Sequence, residues 1–277
     1  MITDNKQLDF CLLIPCYNNP QGLMMSLRSI FYDSDRFAII IVDDGSTTPL
    51  NAEQIQSEIK TIGSITVLRN EHNKGIADSL NIGLKWIGEN VSTKYIARLD
   101  CGDSCHPYRF YRQVDYLNAH TDVGLLGSWC VFEDRRSGAR YQYKTPTEHE
   151  KIKTEMHWRN VFIHPTVMFR SDLAQRSGFY PTRFLHAEDF AFFWKLIKLA
   201  PSHVLDEFLV TCDINKEGIS FKNRSEQLLM RIKIIGEHGT NPLMKFLGML
   251  RLKTLSILPK RIVLSLKQIM NRDNNRR

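Results

Sequence analysis

The six cysteines (11, 16, 101, 105, 130 and 212) form no Cys-x-x-Cys pair, which argues against a zinc knuckle or a dithiol redox motif. Nothing secretory accompanies them, so reduced thiols are expected rather than disulfides. No apolar run approaches the roughly 20 residues that cross a bilayer. Residues 1–8 are polar and the run 10–14 is too short for a signal sequence, so none is expected. Internal repeats and low-complexity segments are missing. So is a Gly-rich, basic phosphate loop early in the chain, where residues 16–22 read CYNNPQG; this disfavours a nucleotidyltransferase of that kind.

What is there suits a globular α/β chain. At 277 residues, 43% hydrophobic and 24% charged, it can bury one large core. The net charge of +7 is uneven: residues 241–277 hold nine Lys/Arg and one acid, so the preceding 240 residues are close to neutral. In that tail Leu243, Phe246, Leu247, Leu250 and Ile257 share one helical face. Beyond Pro259 a second face carries Ile262, Val263, Leu266, Ile269 and Met270, with Lys260, Arg261 and Lys267 opposite. Two basic amphipathic helices fit an interfacial membrane anchor; an oligomer contact or packing against the body are the alternatives.

The first hundred residues alternate. Apolar runs at 10–15, 37–42, 64–70 and 95–99 read as strands. Between them, stripes such as Leu23, Leu27, Ile30, Phe31 and Ile76, Leu80, Leu84, Ile87 read as helices. That βα repetition predicts a parallel sheet flanked by helices. Further on, a helix is expected from Pro107 to Leu117, a strand over 123–132 and an excursion over 133–160. A strand over 165–169, a short helix closed by Gly178 and a helix over 186–199 follow.

Acids gather at predicted strand ends: DDGS follows the second strand and DCGD (100–103) the fourth, while Glu188 and Asp189 open a helix. Parallel strands end on one side, so the first two acid groups share a crevice with the loops at 16–19 and 69–75, where α/β sheets bind nucleotides. Any one of these segments alone reads as a turn or as acids complementing a helix dipole. Carboxylates beside a phosphate suit Mg²⁺ or Mn²⁺.

With IPCYNNPQGLMMSLRSI, IIIVDDGST, NEHNKGIADSLNIGL, YIARLDCGD, HPTVMF and HAEDF in order, the chain resembles the family 2 glycosyltransferases over about residues 8–225. The resemblance implies a GT-A (Rossmann-like), mainly parallel sheet flanked by helices, over residues 1–240. Its nucleotide half would span about 8–105 and its acceptor half about 106–225, ahead of the amphipathic tail at 241–277. It implies inverting transfer of a hexose or N-acetylhexosamine from a UDP-sugar to a lipid-linked surface glycan. The setting would be the cytoplasmic membrane face, with no nucleic-acid partner and room for a homo-oligomer.

Residue by residue, the resemblance places Pro15, Tyr17 and Asn18 around base and ribose, and Asp44 on the uracil imide, with Asp43 as the loop's cap. Asn73 and Gly75 sit beside the nucleotide; Arg98 and Asp100 belong to the donor side. Asp189 is the base that deprotonates the acceptor. Glu188, His186, Trp158 and His164 belong to the acceptor side. A divalent metal, Mn²⁺ or Mg²⁺, falls to Asp100 and Asp103. Two departures stand against that metal: Gly102 replaces a family carboxylate, and TCDINKEGIS (211–220) lacks a family histidine. They leave open a catalytically silent relative that binds nucleotide or glycan as a partner subunit.

Overall fold

The computed structural model describes residues 7–59, 63–214 and 223–257. Its order begins β1 (Leu8–Cys16), α1 (Pro20–Arg28), β2 (Phe37–Asp43), α2 (Ala52–Glu58), β3 (Ser64–Arg69), α3 (Ile76–Asn90) and β4 (Thr93–Arg98). These four strands pair in parallel in the order β3-β2-β1-β4. Strand alternation sends Cys11, Leu13, Ile40 and Val42 to one face, where Leu80, Leu84 and Ile87 of α3 cover them. Phe10, Leu12, Ile14, Ile39 and Ile41 face the other way, onto Leu23 and Leu27 of α1. Both faces are buried, so β2 reads as an unbroken apolar run.

The second half is less regular. It contains β5 (Ser104–Cys105), α4 (Arg109–Ala119), β6 (Leu125–Asp134), β7 (Ala139–Tyr143) and α5 (His149–Met156). A 3₁₀ turn (His164–Thr166), β8 (Met168–Arg170), α6 (Ser171–Arg176), α7 (Glu188–Leu199) and β9 (Ser202–Asp213) follow. The sheet continues from β4 as β8-β6-β9-β5, with β7 beside β6. Here β6 and β9 are parallel, whereas β8, β5 and β7 pair antiparallel with their neighbours. The parallel pattern is therefore a property of the first half.

Three expectations change. The strand expected over 165–169 begins as the 3₁₀ turn, which Thr166 closes by donating its hydroxyl to the Ile163 carbonyl at 2.8 Å. β9 was not anticipated, because Asp206 and Glu207 interrupt its apolar pattern. The register against β6 shifts there, with Leu205 opposite Ser128 and Phe208 opposite Trp129. That bulge frees Glu207 to pair with Arg112 at 2.7 Å. The third change is α8 (Arg224–His238), an unanticipated helix between the body and α9 (Pro242–Ile257), the first of the expected tail helices.

α9 begins the basic tail and docks by its inner face. A side chain at Gly248 would lie 2.1 Å from the His157 carbonyl oxygen, Leu252 is buried, and Arg251 donates to the Trp158 carbonyl at 2.8 Å. The outer face leaves Leu243, Phe246, Leu247, Leu250 and Ile257 exposed, the five residues expected to share one stripe. The second tail helix, expected after Pro259, lies outside the described residues. Among the described residues no helix is long and apolar enough to cross a membrane.

Candidate active site

The loops after β1, β2 and β3 are stapled together. Asp43 caps its own loop, accepting from the Ser46 and Leu50 amides at 2.9 and 3.2 Å and from the Arg69 guanidinium. Asn18, in a left-handed conformation (φ 49°), donates its backbone N–H to the Ser46 hydroxyl oxygen at 2.9 Å and accepts the Thr47 amide on its side-chain oxygen at 2.8 Å. Gly45 also has positive φ, and a Cβ there would meet the His72 backbone at 2.5 Å. Only glycine lets the two loops abut.

Asp44 also organises the neighbouring loop. Its carboxylate is buried and accepts the Asn70 side-chain amide and the Lys74 backbone N–H, both at 2.8 Å, and the Gly75 N–H at 2.9 Å. A carboxylate offers about four lone-pair sites, so one is left for a ligand. Asp44 thus shapes the 70–75 loop, where Asn73 is exposed and Gly75 holds φ 89°. Tyr17 is half exposed at the mouth, and the Pro15 carbonyl accepts the Cys101 thiol at 3.3 Å, joining this wall to the next loop.

That loop follows β4. Alternation along β4 puts Arg98 on the face of Ile96, and its side chain is wholly enclosed. It donates to the carbonyls of Leu13 and Leu99, to His164 Nε2 at 3.3 Å and to Asp100 Oδ1 at 2.6 Å. An enclosed guanidinium persists only with such partners. Arg98, expected to contact the donor, instead fixes Asp100, whose side chain is one-third exposed. His164 is corrected with it. Expected on the acceptor side, it is buried between Arg98 and the Tyr180 hydroxyl (2.9 Å), and enclosure lowers its pKa to about 3, aided by the Arg98 charge. The ring is neutral.

Gly102 holds φ 104°, donates to Ser26 Oγ at 2.9 Å and accepts from Arg135 at 2.8 Å. Asp103 turns inward. It is buried, and Oδ1 accepts the Asp213 N–H at 2.8 Å because β5 pairs with β9. Burial pushes its carboxyl well above the usual range, with Asp100 and Asp213 adding. The expected metal ligand is therefore buried and tied to β9 through one of its two carboxylate oxygens.

On the far wall α7 presents Glu188 and Asp189 in its first turn. Asp189 Oδ1 accepts the Phe190 amide at 2.7 Å and Oδ2 the Asn160 side-chain amide at 2.9 Å. Burial raises the Asp189 pKa; the Arg231 guanidinium of α8 opposes this and the Asp100 charge adds to it. Donor loop and α7 are thus close enough to feel one another. Glu188, buried and next to Asp189, is raised to about 7 by enclosure and then by the Asp189 charge. His186 (φ 64°) stands 3.6 Å from Glu226 of α8, and Trp158 is tied to α9, so both lie where the last helices meet the site. Asn160, Tyr180, Arg135 and Arg231 were not foreseen; none lies in a segment that carries the resemblance, and Arg231 lies beyond its range.

The family model for glycosyl transferase family 2 matches residues 11–178. The chain belongs to that family. It is similar to the amylovoran biosynthesis glycosyltransferase AmsE of Erwinia amylovora, at 26% identity over 81% of this chain and 85% of that protein. It is also similar to a UDP-Gal:alpha-D-GlcNAc-diphosphoundecaprenol beta-1,3-galactosyltransferase of Escherichia coli, at 27% identity over 84% and 83%. Among solved structures, S. aureus TarS 1–349 in complex with UDP superposes with a TM-score of 0.63 at 18% identity, covering 87% of this chain and 70% of that one. The mannosyltransferase PcManGT of Pyrobaculum calidifontis, in complex with GDP-Man and Mn²⁺, gives 0.64 at 18% identity, over 91% and 70%. The fold is GT-A, and this family 2 member is a glycosyltransferase.

A GT-A neighbour holds Mn²⁺. Here Asp100 keeps a third of its side chain exposed, one Asp103 oxygen is tied to β9, Gly102 has no side chain, and Asp213 lies 3.7 Å from Arg135. Among the described residues no group of three or more His, Cys, Asp or Glu is placed to hold a metal ion.

Proposed function

We propose that this glycosyltransferase moves a hexose or N-acetylhexosamine from a UDP-sugar, with inversion, to a hydroxyl of a lipid-linked surface glycan. The observation that carries this reading is a buried carboxylate, Asp189, at the head of α7, held by the Asn160 amide and close enough to the donor loop to feel the Asp100 charge. Asp189 takes the acceptor proton as the acceptor oxygen bonds to the sugar C1. The bond from C1 to the donor diphosphate breaks on the opposite side, and UDP leaves. Burial makes Asp189 a stronger base than an exposed aspartate. Arg98 keeps Asp100 in place, and Asp44 holds the 70–75 loop against the base pocket formed with Tyr17 and Asn18.

The uridine donor is supported by the E. coli relative's name and by the UDP held in TarS. The test is turnover of a panel of UDP- and GDP-sugars, read by mass spectrometry as released nucleotide. Turnover of at least one UDP-sugar and no GDP-sugar is expected; GDP-sugar turnover alone would overturn the uridine assignment.

The exposed stripe of α9, with Lys245 and Lys253 on the same helix, supports peripheral binding at the cytoplasmic face of an anionic membrane. Phe246→Glu with Leu250→Glu is expected to lower co-flotation with phosphatidylglycerol vesicles at least about tenfold, since burying these side chains is worth roughly 1.5–3 kcal/mol each. Both face solvent, so the melting temperature should hold. Undiminished flotation would refute the membrane role.

A further inference from the structure

The cations around the strand ends are not equally free. Arg69 is held by Asp43 and by the Ser46 carbonyl at 2.9 Å, and Arg98 is enclosed. Arg135 differs. It begins the turn joining β6 to β7, next to Asp134, which pairs with Ala139 across the hairpin. The sheet thus anchors its backbone while its side chain reaches 33 positions back along the chain to the donor loop. One Nη donates to the Gly102 carbonyl at 2.8 Å, the other contacts Met25 Sδ, and Nε lies 3.7 Å from Asp213 Oδ1. About a third of the side chain remains exposed (34%).

We propose that Arg135 binds the diphosphate of the nucleotide-sugar donor, an inference that rests on the donor reading above. Three features carry it. The first is place: Arg135 sits on the Gly102 carbonyl, within the loop that follows β4 and carries Asp100 into the crevice. The second is need. A diphosphate requires positive charge, and here Gly102 offers no carboxylate and one Asp103 oxygen is tied to β9, so the loop brings fewer carboxylates to a cation and more of the charge falls to a side chain such as Arg135. The third is availability. An ion pair at 3.7 Å between two partly exposed groups contributes little, so giving it up costs little. The guanidinium has five N–H donors; the Gly102 carbonyl and Met25 Sδ take one each and Asp213 stands near a third, which leaves two for a ligand. Its fork matches a phosphate oxygen pair, which a lysine ammonium does not. Held on a hairpin turn, the charge is in place before the C1–oxygen bond breaks and meets the charge that develops on departing UDP.

Calorimetry with UDP and UMP in EDTA tests this on wild type, Arg135→Met and Arg135→Lys. Wild type is expected to prefer UDP over UMP by roughly tenfold or more, the scale of a charge-assisted contact. Arg135→Met should lose that preference while binding UMP as wild type does, and Arg135→Lys should keep part of it. An unchanged UDP preference in Arg135→Met would overturn the proposal. Equal loss of UMP and UDP affinity would also overturn it, reducing Arg135 to a structural tie for the loop. Wild type that binds neither nucleotide would instead remove the donor reading on which the proposal stands.

Discussion

Asp189→Asn is expected to lower kcat by about 10²–10⁴-fold, the range that a positioned general base contributes, while UDP affinity changes less than about twofold. The asymmetry follows from position. Asp189 stands on α7, whereas the proposed nucleotide pocket falls to the loops after β1, β2 and β3. Asparagine keeps an oxygen for the Asn160 amide but turns its N–H₂ toward the Phe190 amide, so a stability loss of about 1–3 kcal/mol is expected and turnover should be read on the folded fraction. Measured with saturating donor, the loss should fall on kcat. A variant with more than a tenth of wild-type turnover would remove Asp189 from the role of base.

The same pair sets an acid limb. A carboxyl raised by burial loses its proton at higher pH, so activity should fall on acidification well before an ordinary aspartate would protonate. Glu188 takes its proton at about 7 beside it, and the two titrate as a unit. The kcat/KM profile should therefore bend near neutrality. Removing the second group, in Glu188→Gln, should leave one acid limb at lower pH.

Asp44→Asn is expected to lower UDP affinity roughly 30- to 100-fold and to cost about 2–3 kcal/mol of stability. In the wild type both carboxylate oxygens accept N–H groups, two on one and one on the other. Asparagine must turn an N–H₂ toward at least one of those donors, leaving it buried and unpaired. The 70–75 loop then loses its tie to the end of β2. Calorimetry with UDP and urea unfolding read the two effects separately. Wild-type affinity in a destabilised variant would make Asp44 purely structural.

Much of this was written in the sequence, and what was not has physical reasons. The first four strands were legible because burial on both faces leaves long apolar runs, with Gly, Asn and Asp marking the loops between them. β9 was not, because its bulge sets two acids in the middle of a strand. Asp44, Asp100 and Asp189 stood out as acids at strand ends and a helix start. Their partners did not. Whether Arg98 faces the crevice or the core depends on the pleat of β4, and whether Asp103 faces out depends on the pairing of β5 with β9, some 110 positions away in sequence. Asn160 and Arg231 reach Asp189 from segments with no motif, so only three-dimensional packing reveals them.

The backbone at Gly102 also bears on how such a site changes over evolutionary time. A Cβ there would have open space, its nearest neighbour being Asn19 Nδ2 at 4.0 Å, so the barrier to a carboxylate is torsional rather than steric. At φ 104° an L-residue carries strain of about 1–3 kcal/mol. Glycine accepts a conformation here that an aspartate would resist. A single codon change to aspartate would meet that resistance until the loop itself reshapes, so the glycine would behave as a ratchet and not as a neutral position.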